Sequence, residues 1–154
     1  MALETLQEKL DASLRNASPL TREFFADSPM TAEAVRDFVN DVLSVSIATV
    51  SKSGKPHAAL TLVACADDGS LYAAVNERSV LYRNLQHAPD VAITVDAREH
   101  GLMGQGCAQY VGTAAELRTT LIAELDRAAK RGRWVPQDWA GAVYRLDLDR
   151  IFAT

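Results

Sequence analysis

The sequence predicts a mainly β fold with flanking helices (α+β), in which six short antiparallel strands close, or nearly close, into one barrel. Three observations carry this reading. Residues 45–96 run as strand, turn, strand, turn, strand, short helix, strand. The last segment, Ala142–Phe152, alternates Tyr144, Leu146 and Leu148 against Arg145, Asp147 and Asp149, as a strand with one wet face does. The 154 residues hold no internal repeat and no linker, so one core serves all the elements and the whole chain, 1–154, is expected to form a single domain.

The elements follow in order. Leu3, Leu6, Leu10 and Leu14 recur at three and four and predict an amphipathic helix over residues 3–15, broken by Asn16–Pro19. Thr21–Ala26 has no clear period; Phe24 and Phe25 are expected to anchor it. Thr31 is placed as an N-cap, Met30 and Val35 as a hydrophobic staple, and Val35, Phe38, Val39 and Val42 as the buried face of a second helix, so helices occupy residues 3–43 ahead of the barrel.

Val45, Ile47 and Thr49 alternate with Ser46, Ala48 and Val50 in the first strand, over Ser44–Ser51. Gly54 supplies the positive φ of the next turn, and Pro56 opens the second strand, His57–Ala66, where a missing N–H matters least. Asp67-Asp68-Gly69 turns the chain into the third strand, Ser70–Asn76. Ser79 caps a short helix through Val80, Leu81, Asn84 and Leu85, which Pro89 stops before the strand Val91–Asp96.

Ala97–Gly106 is expected to be a loop, its three glycines marking mobility or a close backbone approach. Cys107–Leu117 follows as a strand with a bulge at Gly112, then Thr119–Arg131 as a helix whose basic end (Arg127, Lys130, Arg131, Arg133) is a solvated cap. Trp134–Trp139 is irregular, and its two indoles are expected to pack on the barrel or on a partner.

Composition excludes several functions. Apolar residues make up 48% and charged residues 23%, as in an ordinary globular protein. A net charge of −4 argues against general affinity for nucleic acid or an anionic membrane. No apolar run approaches the roughly 20 residues of a membrane span, and the N-terminus has no signal-peptide core. Cys65 and Cys107 lie in apolar surroundings without CxxC or Cys/His spacing, so they read as reduced thiols and no metal site is expected. Acidic balance, no signal and unpaired cysteines together suggest a cytoplasmic protein. His57, His87 and His100 have no ligand spacing, and no serine sits in a nucleophile context, so no catalytic residue is assigned. Any redox or transfer chemistry falls to a cofactor.

Six short pieces occur in a telling order: Ala48-Thr49-Val50, Gly54-Lys-Pro56, Asp68-Gly69 with Leu71-Tyr72, Arg83-Asn84-Leu85, Ala88-Pro89 and Val111-Gly112-Thr113-Ala114. Together they resemble the pyridoxamine 5′-phosphate oxidase-like family of flavin-binding split β-barrels. The resemblance implies a split barrel, a homodimer, and FMN or the deazaflavin F420 at the dimer interface, passing hydride to or from a small organic substrate. It places Ala59, Leu60, Thr61 and Leu62 beside the flavin ring, with Thr61 and backbone amides tuning it. Val75, Asn76, Arg78, Ser79, Arg83 and Asn84 fall to the ribityl chain and phosphate, where a helix N-terminus with Ser and Arg also suits an anion on physical grounds.

The chain departs from the family at Val80-Leu81, where a basic residue is usual. That departure favours an alternative: a barrel that holds flavin, haem or another planar ligand without turnover, or a structural dimer without cofactor.

Overall fold

The computed structural model describes residues 2–42, 44–130 and 132–154. Six antiparallel strands form a closed barrel in the order β1-β2-β3-β6-β5-β4. They are β1 (Val45–Val50), β2 (Pro56–Cys65), β3 (Leu71–Val75), β4 (Asp90–Ala97), β5 (His100–Thr113) and β6 (Ala142–Ala153). Among the described residues, six helices accompany them: α1 (Ala2–Arg15), α2 (Pro19–Phe25), α3 (Ala32–Asp41), α4 (Val80–His87), α5 (Ala114–Leu117) and α6 (Leu121–Ala128).

The two faces of the barrel are covered differently. Inward residues such as Val45, Ile47, Val63, Ile93, Leu102 and Leu148 join Leu6 and Leu10 of α1 and Val35, Phe38 and Val39 of α3 in one core. On the outside, α5, α6 and the tryptophan segment lay Ile122, Leu125, Trp134 and Val135 against Ala64 and Val143. The predicted indole packing is thus met within the chain. The Thr31 cap forms as expected, its hydroxyl accepting from Ala34 N–H at 3.2 Å.

Asn40, near the end of α3, ties helix to barrel. Its amide donates to the Cys65 carbonyl at 2.9 Å and accepts from the Cys65 N–H at 2.8 Å, while buried to 7% exposure. Its own carbonyl accepts from Lys130 N–H at 3.0 Å, beyond α6.

Four expectations change. Residues 97–106 are not a loop but a hairpin, in which Ala97 pairs with His100 across a two-residue turn. Arg98 and Glu99 supply that turn with φ of 54° and 66°, values usually left to glycine or asparagine, which hides the turn from the sequence. An Arg98–Asp41 ion pair ties it to α3. Two of the three glycines, Gly104 and Gly106, sit inside β5 where β6 approaches closely: a Cβ on Gly106 would lie 2.1 Å from the Asp147 carbonyl oxygen, whereas one on Gly101 would meet nothing within 4 Å.

Cys107–Leu117 also ends earlier than expected. Thr113 caps α5, accepting from Glu116 N–H at 3.2 Å, in a Thr-x-x-Glu arrangement. The bulge is at the predicted place, with a register step between Tyr110 and Gly112. Thr21–Ala26 belongs largely to α2, whose cap is Ser18. Phe25 meets Phe152 at 5.4 Å between ring centroids, but Phe24 is 69% exposed and anchors nothing in this chain. Successive helical residues point about 100° apart, so α2 can turn only one of the two inward. The helix expected over Thr119–Arg131 is shorter, α6 ending at Ala128. Of its basic end, Lys130 and Arg133 lie near Asp37 (3.8 Å) and Asp126 (3.9 Å), and Arg131 lies outside the described residues.

Candidate functional site

Within the closed barrel, one stretch of β2 has a strand on only one side. β2 pairs with β1 through Pro56–Thr61, whereas its pairing with β3 begins only at Leu62. The other edge of Pro56–Thr61 therefore has no strand beside it. α4 packs against β1 and β2 at this opening.

Local chemistry fixes α4 there. Ser79 Oγ accepts from Tyr82 N–H at 3.0 Å and donates to the Asn76 carbonyl at 2.7 Å. Asn76 Oδ1 accepts from Arg78 N–H at 2.8 Å, which closes the turn on itself. Asn84, 4% exposed, donates from Nδ2 to Thr49 Oγ1 at 3.0 Å, and Leu81 is buried beside it. The turn leaves two cationic side chains free, beside the exposed carboxylate of Glu77. Arg78 and Arg83 are exposed, and among the described residues neither guanidinium has an ion-pair or side-chain hydrogen-bond partner. The N–H groups of Val80 and Leu81 precede the first bond within the helix and add the positive pole.

The predicted residues divide accordingly. Arg78, Arg83 and the start of α4 come together as a surface that can take an anion. Asn76, Ser79 and Asn84 spend their side chains inside the chain and serve to shape that surface. Val75 is buried at the end of β3. Along β2 the side chains alternate: Thr61 points into the barrel at 6% exposure, Leu62 packs on the outer cluster, and Leu60 is bare at 78%. Ala59 shares the inward side of Ile47, its register partner. On this strand the open group is therefore the backbone edge, with Leu60 outside it.

Three tyrosines near α4 are legible one by one in the sequence but not as a group. Tyr144 meets Tyr82 at 6.4 Å and Tyr110 at 5.7 Å, both edge-on, and its hydroxyl accepts from Gln86 Nε2 at 3.1 Å. Burial, then Tyr82, pushes the Tyr144 hydroxyl above its ordinary pKa, with the Gln86 bond opposing, so it stays protonated at neutral pH. The cross-strand pairing that unites Tyr110 with Tyr144 depends on the bulge before Gly112, which sets the register.

A cavity of about 500 Å³ lies elsewhere, between α1 and the β3–β6 sheet. Arg145 there is already held by Asp147 at 2.8 and 3.1 Å and by Gln109 at 3.0 Å. No cluster of three or more His, Cys, Asp or Glu able to hold a metal occurs among the described residues. Nor is any described helix long and apolar enough to cross a membrane.

The family profile described as pyridoxamine 5′-phosphate oxidase matches residues 31–150. The chain belongs to the pyridoxamine 5′-phosphate oxidase family. Solved structures share the fold. A conserved hypothetical protein of Mycobacterium tuberculosis, Rv2991, is similar at 18% identity and TM-score 0.63, over 80% of this chain and 84% of that one. HutZ, the heme storage protein of Vibrio cholerae, is similar at 19% identity and TM-score 0.55, over 77% of this chain and 90% of its own. A heme binding protein of Mycobacterium smegmatis is similar at 22% identity and TM-score 0.56, over 82% of this chain and 54% of that one. No curated protein sequence matches the chain.

Proposed function

We propose that the chain is a flavin-dependent oxidoreductase that binds FMN in the opening between β2 and α4 and acts on a small organic substrate. One observation carries this reading. Two unpartnered guanidinium groups, Arg78 and Arg83, flank a capped helix start beside an unpaired strand edge. Arg78, Arg83 and the first N–H groups of α4 hold the phosphate. The uncharged side chains of Val80 and Leu81 leave those N–H groups in place. The backbone edge of Pro56–Thr61 lines the ring, and Leu60 shields its outer side from water. FMN supplies hydride transfer at its ring N5, and no side chain of the chain is assigned as acid or base. A second copy of the chain closes the opening from outside, in a homodimer.

The test is a titration of cofactor-stripped protein with FMN, followed by flavin fluorescence, with F420 in parallel. Saturation at micromolar concentration or below by one of them is expected, and it names the cofactor. Removing a charge-assisted bond costs about 1.5–3 kcal/mol, so Arg83→Ala should weaken binding by roughly 10- to 150-fold. Saturation by neither refutes the reading.

Haem is the second reading. Two structural neighbours are by their names heme-storing or heme-binding, and His57 lies on the open stretch of β2. It ranks second because His57 Nδ1 is buried without a partner, whereas a ligating imidazole nearly always donates from its other nitrogen. A Soret band lost in His57→Ala would reverse the order.

A further inference from the structure

We infer that α2 is an arm that grips a second copy of this chain through Leu20 and Phe24. The inference rests on the homodimer proposed above. Ser18 caps α2, and Arg22 donates to the Leu14 and Arg15 carbonyls at 3.1 and 2.7 Å, so the helix is fixed to the end of α1. Phe25 holds its inner side on Phe152. Leu20 and Phe24, four residues apart on one helical face, are then left 63% and 69% exposed. Single exposed apolar residues are ordinary, but a fixed pair is not a product of a loose segment.

The neighbouring surface says what covers them. The outer face of β2, β1, β4 and β5 carries Val50, Ala58, Leu60, Ala92, Thr94 and Met103, with no helix over it. The centre of this face bears no ionisable side chain; Asp90 and Asp96 at the two ends of β4, and Arg150 in the adjoining groove, lie at its margin. Such a centre meets its own copy across a two-fold axis without like-charge repulsion, as an isologous contact requires. Area decides the role of α2. Four strands about 4.8 Å apart and about six residues long present roughly 400 Å², whereas a stable interface takes about 800 Å² from each partner. The sheet face alone supplies about half. α2 stands beside it, across a groove of about 260 Å³ lined by Thr21, Ala92, Met103, Gln105 and Arg150, and adds the apolar Leu20 and Phe24 on the far side.

Sedimentation equilibrium of the full chain tests this, with far-UV circular dichroism as the folding control. The expected result is a dimer that Leu60→Asp dissociates. The Leu20→Asp/Phe24→Asp double variant weakens it at least about 30-fold, as loss of a central contact does, and Phe24→Leu restores most of the affinity. A dimer broken by Leu60→Asp but unchanged by the double variant overturns the arm and leaves the sheet-face dimer standing. A monomeric wild-type chain overturns both, as does a monomer that adsorbs to lipid vesicles through Phe24. A photo-cross-linking benzoylphenylalanine at position 24 gives a reading independent of the charged variants: a cross-linked dimer is expected, and cross-links confined to one chain refute the arm.

Discussion

Asn40→Leu should be among the most damaging polar substitutions in this chain. The change keeps similar volume, so cavity formation contributes little. It removes two hydrogen bonds to the backbone of one residue, at 2.9 and 2.8 Å, and leaves the Cys65 N–H and carbonyl without those partners at a residue of 0% exposure. Each orphaned buried group costs about 1–3 kcal/mol, so the loss should be about 2–6 kcal/mol, against a total stability of about 5–15 kcal/mol. Urea unfolding followed by circular dichroism measures it through the midpoint at constant slope. Asn40→Asp refines the test. A protonated acid can both donate to the Cys65 carbonyl and accept from its N–H, whereas the carboxylate only accepts. The folded state then raises the pKa of the introduced carboxyl above its unfolded value. The variant's stability relative to wild type should be greatest below about pH 4 and fall as pH rises through the folded pKa. A loss under about 1 kcal/mol in Asn40→Leu would show that water reaches Cys65, and would refute the reasoning.

Three further outcomes are expected. Gly106→Ala must push β5 off β6, since its Cβ would lie 2.1 Å from the Asp147 oxygen, and should cost about 3 kcal/mol; Gly101→Ala, with nothing within 4 Å, should stay within about 0.5 kcal/mol in the same urea assay. In a double-mutant cycle of Thr49→Val and Asn84→Leu, each single change orphans its buried partner. The double variant should therefore cost less than the sum of the two, with coupling of about 1 kcal/mol; strict additivity would mean that the pair does not hold α4. Burial pushes the Cys65 thiol up to about 12 from 9.0. Between those pH values the unfolded chain loses a proton that the folded one keeps, so stability should fall by about 1.4 kcal/mol per pH unit, and Cys65→Ala should remove that share of the slope.

Where the sequence is legible, a short-range rule is at work. Alternation marks the strands, Thr31 and Ser79 announce their helices through caps that reach three residues on, and Gly112 marks its bulge. The Thr113-x-x-Glu116 cap of α5 is equally local, but the apolar run around it reads as continuing strand. The α4 turn can be anticipated too, because Asn76, Arg78 and Ser79 act within four residues of one another.

Tertiary structure decides what depends on distant partners. The hairpin at Arg98-Glu99 uses positive φ without glycine and is tied by an ion pair to α3, so no local pattern could reveal it. Whether Phe24 or Phe25 faces inward follows from where Phe152 lies, more than a hundred residues on. The division of the predicted site is of the same kind. Sequence names Arg83 and Asn84 as neighbours, but only the position of Thr49 buries the asparagine amide and leaves the arginine free to meet an anion. Local propensity and capping act within one turn and can be read residue by residue; burial and partnership are properties of the closed barrel, set when its last strand returns between β3 and β5.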